Sequence, residues 1–176
     1  MKLIISLILV AFVSVKSDTW KVAKANIEFT IKHGFGTNAD GDFKLKDAKI
    51  AFSETDLPKT QIEATVLTTT ISTGMGIRDN VLRKAEYFDC EKYPEMSLTY
   101  IGGIKAISKH QYTGKFKLKI KATEKQLTLP FTAIIAGEKA QFATKFTINR
   151  LDFGVGESSF ALGDEVKIEI KVEALK

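Results

Sequence analysis

The side chains able to do chemistry in this 176-residue chain are few and widely spaced. There are two histidines, His33 and His110, and one cysteine, Cys90. None of them stands at metal-ligand spacing from another, so no zinc site and no other metal is expected. A single cysteine makes no intramolecular disulfide, and Cys90 reads as a buried structural thiol. No Gly-x-Ser-x-Gly elbow, no phosphate-cradling glycine loop and no supported cysteine–histidine arrangement occurs. Every Asp and Glu falls on a solvent face or in a turn, so the expectation is a protein that is not an enzyme. Two Arg/Asp pairs remain, Arg78-Asp79 and Arg150-Asp152. A guanidinium pairs well with a phosphate or a carbonyl, which would let Arg78 meet a polar head group. In the local alternative Asp79 accepts backbone N–H groups near a helix start, and the pair holds its own segment together. We read both pairs structurally, with Arg150 and Asp152 tying a bend between strands.

These residues must be positioned by strands, because almost everything else alternates. Arg78-Asp79 lies within residues 72–94, the one stretch that breaks the pattern. Gly74 and Gly76 open a turn there, and Ile77, Val81 and Leu82 recur at helical spacing. Tyr87, Phe88 and Tyr93 follow before Pro94. On either side, apolar and polar residues alternate as in half-buried β-structure. Ile27, Phe29, Ile31 and His33 line one face of a first strand. A loop through Gly34 to Asn38 follows, and a second strand begins at Phe43 and Leu45, with a bulge or twist near Asp47. Ile62, Ala64 and Val66 face one way in a third, and Met96, Leu98 and Tyr100 start a fourth. The fifth is the clearest, with Tyr112, Gly114, Phe116, Leu118 and Ile120 opposed to a lysine face at 115, 117, 119 and 121 that reads as solvated. Leu127, Leu129 and Phe131 mark a sixth, Phe142, Thr144 and Phe146 a seventh, and Val166, Ile168 and Ile170 an eighth.

Eight alternating strands with short turns predict an all-β, antiparallel up-and-down barrel, with residues 72–94 as a short helical plug between strands three and four. Closure removes the sheet edges that such long strands would expose. At about 34 Å for the fifth strand and a tilt near 40°, the barrel stands roughly 26 Å tall. Its interior either fills with side chains or holds one small ligand. The residues placed on the lumen face are Phe29, Ile31, His33, Phe43, Phe116, Leu118, Phe131, Phe142, Phe146, Ile168 and Ile170. Gly114 and Thr144 are expected to leave space among them. Thr73, Arg78, Asp79, Tyr87 and Phe88 are the plug or head-group candidates. His110 falls in a loop and reads as solvated.

The plug also carries a resemblance. Thr73-Gly74, Arg78-Asp79, Leu82-Arg83, Tyr87-Phe88-Asp89 and Lys92-Tyr93-Pro94 resemble the central signature of the YceI-like family. Further matches follow in order: Phe29-Thr30-Ile31-Lys32-His33-Gly34-Phe35, Gly41-Asp42-Phe43, and Asn149-Arg150-Leu151-Asp152-Phe153-Gly154. The resemblance runs from about residue 20 to the C-terminus. It implies a lipocalin-like barrel that binds a polyisoprenoid lipid without catalysis, with a polyprenol or quinone tail as cargo and no cofactor required. Two departures stand out. Val81 occupies a place where the family usually has a histidine, so no ligand contact is carried over to it. Lys121-Ala122-Thr123 lacks the usual glycine, which changes only turn geometry. A fatty acid or fatty amide would suit the same interior, and a filled barrel would suit a ligand-free stress or interaction protein.

The first seventeen residues stand apart. Lys2, the apolar run that follows and Val15-Lys16-Ser17 read as a signal peptide, cleaved near Ser17/Asp18, with residues 18–176 as one domain. The run is too short for a comfortable membrane span. Export to the periplasm or beyond is the implied destination. The full chain carries a net charge of +5 from 26 basic and 21 acidic residues. Losing Lys2 and Lys16 leaves 24 against 21, or +3, interleaved along the strands. That balance excludes a nucleic-acid patch and allows at most a transient membrane contact. The resemblance also allows a homodimer, although no surface patch in the sequence marks one.

Overall fold

The computed structural model describes residues 19–34 and 36–176. The leader, its cleavage point and Phe35 lie outside the described residues. Nine strands run β1 (Thr19–His33), β2 (Thr37–Phe43), β3 (Leu45–Ala51), β4 (Gln61–Leu67), β5 (Glu95–Ser108), β6 (Gln111–Ile120), β7 (Thr123–Ala136), β8 (Lys139–Asn149) and β9 (Leu162–Leu175). Among the described residues one α-helix, α1 (Gly76–Leu82), sits in the connection between β4 and β5. Every pairing is antiparallel, and β9 returns to pair with β1 along most of its length. The sheet is therefore a closed barrel. β2 and β3 lie one after the other against β1 and make a single stave between them. Nine strands thus give the eight staves expected.

Alternation is what closes it. In β6, Tyr112, Gly114, Phe116, Leu118 and Ile120 are buried while Gln111, Lys115 and Lys119 are exposed. The lysine face is not wholly solvated, however. Lys117 pairs with Glu124 at 3.2 Å. Lys121 donates to the carbonyls of Gly154 (2.8 Å) and Ala85 (3.3 Å), joining two segments at one barrel end.

The second stave departs from expectation. Thr37 and Asn38, expected in the loop, already belong to β2, because Gly34 and Gly36 (φ +59° and +96°) turn the chain tightly enough to pair His33 with Thr37. The stave then breaks at Lys44. Its N–H donates to Thr70 Oγ1 at 2.9 Å, and its carbonyl accepts from Leu67 N–H at 3.3 Å. Captured by the β4 side, β3 follows β4 and leaves β1. The expected bulge is present against β4, between Leu45 and Asp47.

Two apolar clusters seal the two ends. At one, Phe52 is 1% exposed and turns its ring nearly perpendicular to those of Tyr112, Phe131 and Phe142, with centroids 5.2–6.1 Å away. Trp20 joins this floor and donates Nε1–H to the Phe52 carbonyl at 2.9 Å. Edge-to-face rings of this kind add stability beyond their buried area. At the other end Ile71 and, from the plug, Leu82, Tyr87 and Phe88 pack with Phe43, Phe153 and Val155.

Candidate functional site

Between floor and plug the side chains do not meet. They leave a cavity of about 250 Å³ with an almost wholly apolar wall. Of the two interiors an eight-stave barrel permits, this is the one with room for a ligand. All eleven residues placed on the lumen face by alternation stand on the cavity wall: Phe29, Ile31, His33, Phe43, Phe116, Leu118, Phe131, Phe142, Phe146, Ile168 and Ile170. Phe116, Phe131 and Phe142 also belong to the floor, so they shape the cavity's base as well as its sides. The wall further includes Leu45, Ile62, Ala64, Val66 and Val172. The period-2 pattern of β3, β4 and β9 already pointed these inward.

Gly114 provides room of a different kind from that expected. A Cβ there would lie 3.1 Å from the Tyr100 ring, so the space accommodates that ring and not a ligand. Thr144 lines the cavity, but its hydroxyl donates to the Pro130 carbonyl at 2.7 Å. His33 is exposed at the rim. His110 is half-buried, not solvated, and its Nδ1 lies 3.0 Å from Glu54 Oε1. Glu54 also accepts from Tyr112 Oη at 3.0 Å. Burial first, then that hydrogen bond and the carboxylate charge, push the Tyr112 phenol up to about 12.

The plug is held by a compact polar network. Ser72 and Asp42 exchange backbone hydrogen bonds of 2.8 and 3.1 Å, stitching the plug to β2. Asp79 is buried and accepts from the backbone N–H of Thr73 (2.9 Å) and from its hydroxyl. Arg78 Nε and Nη2 donate to Thr73 Oγ1 and O, both at 2.8 Å. Arg83, part of the Leu82-Arg83 motif but assigned no role from it, adds a strap to the carbonyls of Thr69 and Ile71, each at 2.9 Å. Thr73, Arg78, Tyr87 and Phe88 line the cavity, and Asp79 does not. Arg78 has no carboxylate partner among the described residues. Of the two pairs, it alone stands beside the cavity with donor capacity to spare.

Arg150 also lines the cavity, yet it is 4% exposed and fully engaged. It donates to the carbonyls of Gly163, Val155, Glu157 and Leu162 and pairs with Asp164 at 3.0 Å. Asp152 does not join this knot; it pairs with Lys125 at 2.7 Å. On α1 the helical spacing misleads. Ile77 is 84% exposed and Val81 40%, because the helix turns Asp79 inward to reach Thr73. Val81 is not part of the cavity wall, so its departure from the family pattern leaves the cavity unaltered.

The YceI-like domain model matches residues 19–174. The chain belongs to the YceI-like family. A UPF0312 protein of Staphylococcus epidermidis is 27% identical over 160 residues, covering 85% of this chain and 91% of its own length. Among solved structures, Burkholderia cenocepacia BcnA aligns with a TM-score of 0.81 at 22% identity, over 88% of this chain and 99% of its own. A polyisoprenoid binding domain from Saccharophagus degradans, implicated in plant cell wall breakdown, aligns with a TM-score of 0.68 at 8% identity, over 89% and 97%. At those identities the two structures speak for the barrel alone.

Proposed function

We propose that this YceI-like barrel is a non-enzymatic carrier that takes the tail of a polyisoprenoid lipid into its lumen. The observation that carries the reading is the apolar cavity between an aromatic floor and a plug whose Arg78 has no carboxylate partner among the described residues. Burying about 400 Å² of tail would yield on the order of 10 kcal/mol before costs. Ordering the tail and loss of translational freedom offset a substantial part. Such binding is firm and tolerant of the exact chain. That the Saccharophagus barrel is a polyisoprenoid binding domain makes the isoprenoid class the first to test, ahead of a fatty acyl chain. A leader at residues 1–17, as the sequence leads one to expect, would put the work outside the cytoplasm, where an insoluble tail needs a shield from water.

Titration with a dansyl-labelled farnesol and a dansyl-labelled farnesyl phosphate tests the reading. One prenyl chain per barrel is expected for both. Replacing Arg78 with Met should weaken the phosphate roughly tenfold, the value of one charge-assisted contact, and leave the alcohol within twofold. Absence of saturable binding for either probe would sink the proposal.

A further inference from the structure

The barrel wall has a split in it. β1 meets β3 only at Thr19↔Ala51 and Trp20↔Ile50, and meets β2 only from Ile27↔Phe43 onward. Between these points residues 21–26 of β1 and 45–49 of β3 pair with nothing across the gap. Both contacts share one register, so no residue is inserted or lost along the split. The two strands separate and rejoin. Each bulges where they part: β1 carries an extra residue between Val22 and Lys24 against β9, and β3 one between Leu45 and Asp47 against β4. Lys44 anchors the upper corner to Leu67 and Thr70.

A row of unpaired backbone N–H and C=O groups is costly unless water or another partner reaches it. Here the split opens to a polar cleft of about 920 Å³ on the barrel's flank. Ala25, Ile27, Phe29, Phe43, Leu45 and Ala48 line both this cleft and the apolar cavity. Only this one layer of side chains separates the cleft from the lumen along the split. By contrast β6 and β7, and β8 and β9, pair without such a gap. β7 and β8 also part beyond Thr132↔Ala143, but there the Thr144 hydroxyl bridges them by donating to the Pro130 carbonyl at 2.7 Å.

We propose that the split between β1 and β3 is a side entrance to the lumen, through which the apolar tail passes inward from the polar cleft. This rests on the carrier reading above. The end-on alternatives are less suited. The floor is sealed by Phe52 and its ring partners, and the plug is stitched to β2 at Asp42↔Ser72 and knotted through Asp79. Admitting a tail at the split breaks no hydrogen bond, because none has formed there. The shared register lets the strands zip shut behind the tail without sliding. Head groups that both donate and accept suit the unpaired backbone, and the rim is balanced between Lys21, Lys24 and Lys44 and the carboxylates of Glu28, Asp42 and Asp47.

A cross-strand staple tests this. Lys24 and Lys46 fall opposite one another in the shared register, and both are exposed. A Lys24→Cys/Lys46→Cys variant is closed by oxidation or, where the sulfurs stay apart, bridged with dibromobimane, which blocks the split in either case. Lys115→Cys/Thr128→Cys, a directly opposed pair in the intact wall, is the control. The readouts are the binding stoichiometry of dansyl-labelled farnesol and its exchange rate with phosphatidylethanolamine–phosphatidylglycerol vesicles. Closing the split should slow exchange at least roughly tenfold, with full recovery when the disulfide is reduced, while the control staple leaves the rate unchanged. Normal stoichiometry with equal rates, stapled or open, would overturn the side entrance and leave the carrier reading standing. No binding by the unstapled variant and the native protein alike would overturn the carrier reading, and the entrance with it.

Discussion

Filling the cavity from its own wall should separate binding from folding. Ala64 faces the lumen at mid-height of β4, opposite Leu98 and Ala48, and lines the cavity. In Ala64→Trp the indole enters the 250 Å³ of open space and displaces cargo. An aromatic ring of that size covers about 150–250 Å². Taking about 150 Å² of contact from a bound tail removes roughly 4 kcal/mol, a several-hundredfold loss of affinity. Folding should not suffer, because filling a cavity reverses the penalty for leaving it empty. The assay is a dansyl-farnesol titration beside a urea unfolding curve. Weakened binding at unchanged or raised stability is expected. A folded variant that binds as tightly as the native protein would refute the placement of cargo in the lumen.

Other substitutions probe the frame. Arg150→Met strips the partner from four carbonyls and Asp164, and should cost on the order of 3 kcal/mol in urea unfolding, with new protease cleavage within residues 154–161. In Gly41→Ala the new Cβ would lie 2.4 Å from the Phe29 ring and 2.7 Å from the Ser72 carbonyl oxygen. A loss of about 1–3 kcal/mol should follow. Adding Phe29→Leu should restore only part of it, because the backbone contact remains. Tyr112 supplies a pH signature. Its folded pKa is raised from 10.0 to about 12, so its contribution is intact below pH 10 and is lost as pH climbs towards 12. Native stability should fall over that window by about 2 kcal/mol more than that of Tyr112→Phe. Equal pH dependence in the two proteins would show that the phenol is not shielded.

Much of this site was legible because parity suffices for a barrel wall. Once Phe116 and Leu118 face inward, β-strand alternation places Phe131, Phe146 and Ile168 without any knowledge of tertiary contacts. What parity does not carry is who captures a backbone group. Thr37 to Phe43 contains Asn38, Asp40, Gly41 and Asp42, a turn-like composition, and becomes strand only because β1 offers an edge to it. The split beyond it depends on Thr70 and Leu67 taking the N–H and carbonyl of Lys44 across 26 and 23 residues of chain. No local pattern records such a competition. The helix shows the same limit. Ile77 and Val81 have core-like spacing, but Asp79's bonds to Thr73 outweigh it and roll the apolar pair outward. The motif Arg78-Asp79 was visible as a unit, whereas its division of labour was not: Asp79 is consumed by the fold, and Arg78 retains free donors beside the cavity.

The central claim, that a prenyl lipid occupies the lumen, is tested most directly by native mass spectrometry of the full chain expressed with its own leader and recovered without detergent. The account predicts one added mass per barrel that lipid extraction resolves to a polyprenol or a prenylated quinone, and that disappears in Ala64→Trp. A protein that stays at its bare mass even after incubation with polyprenols and quinones would contradict it, and a stoichiometric fatty acyl adduct would replace the isoprenoid with another tail.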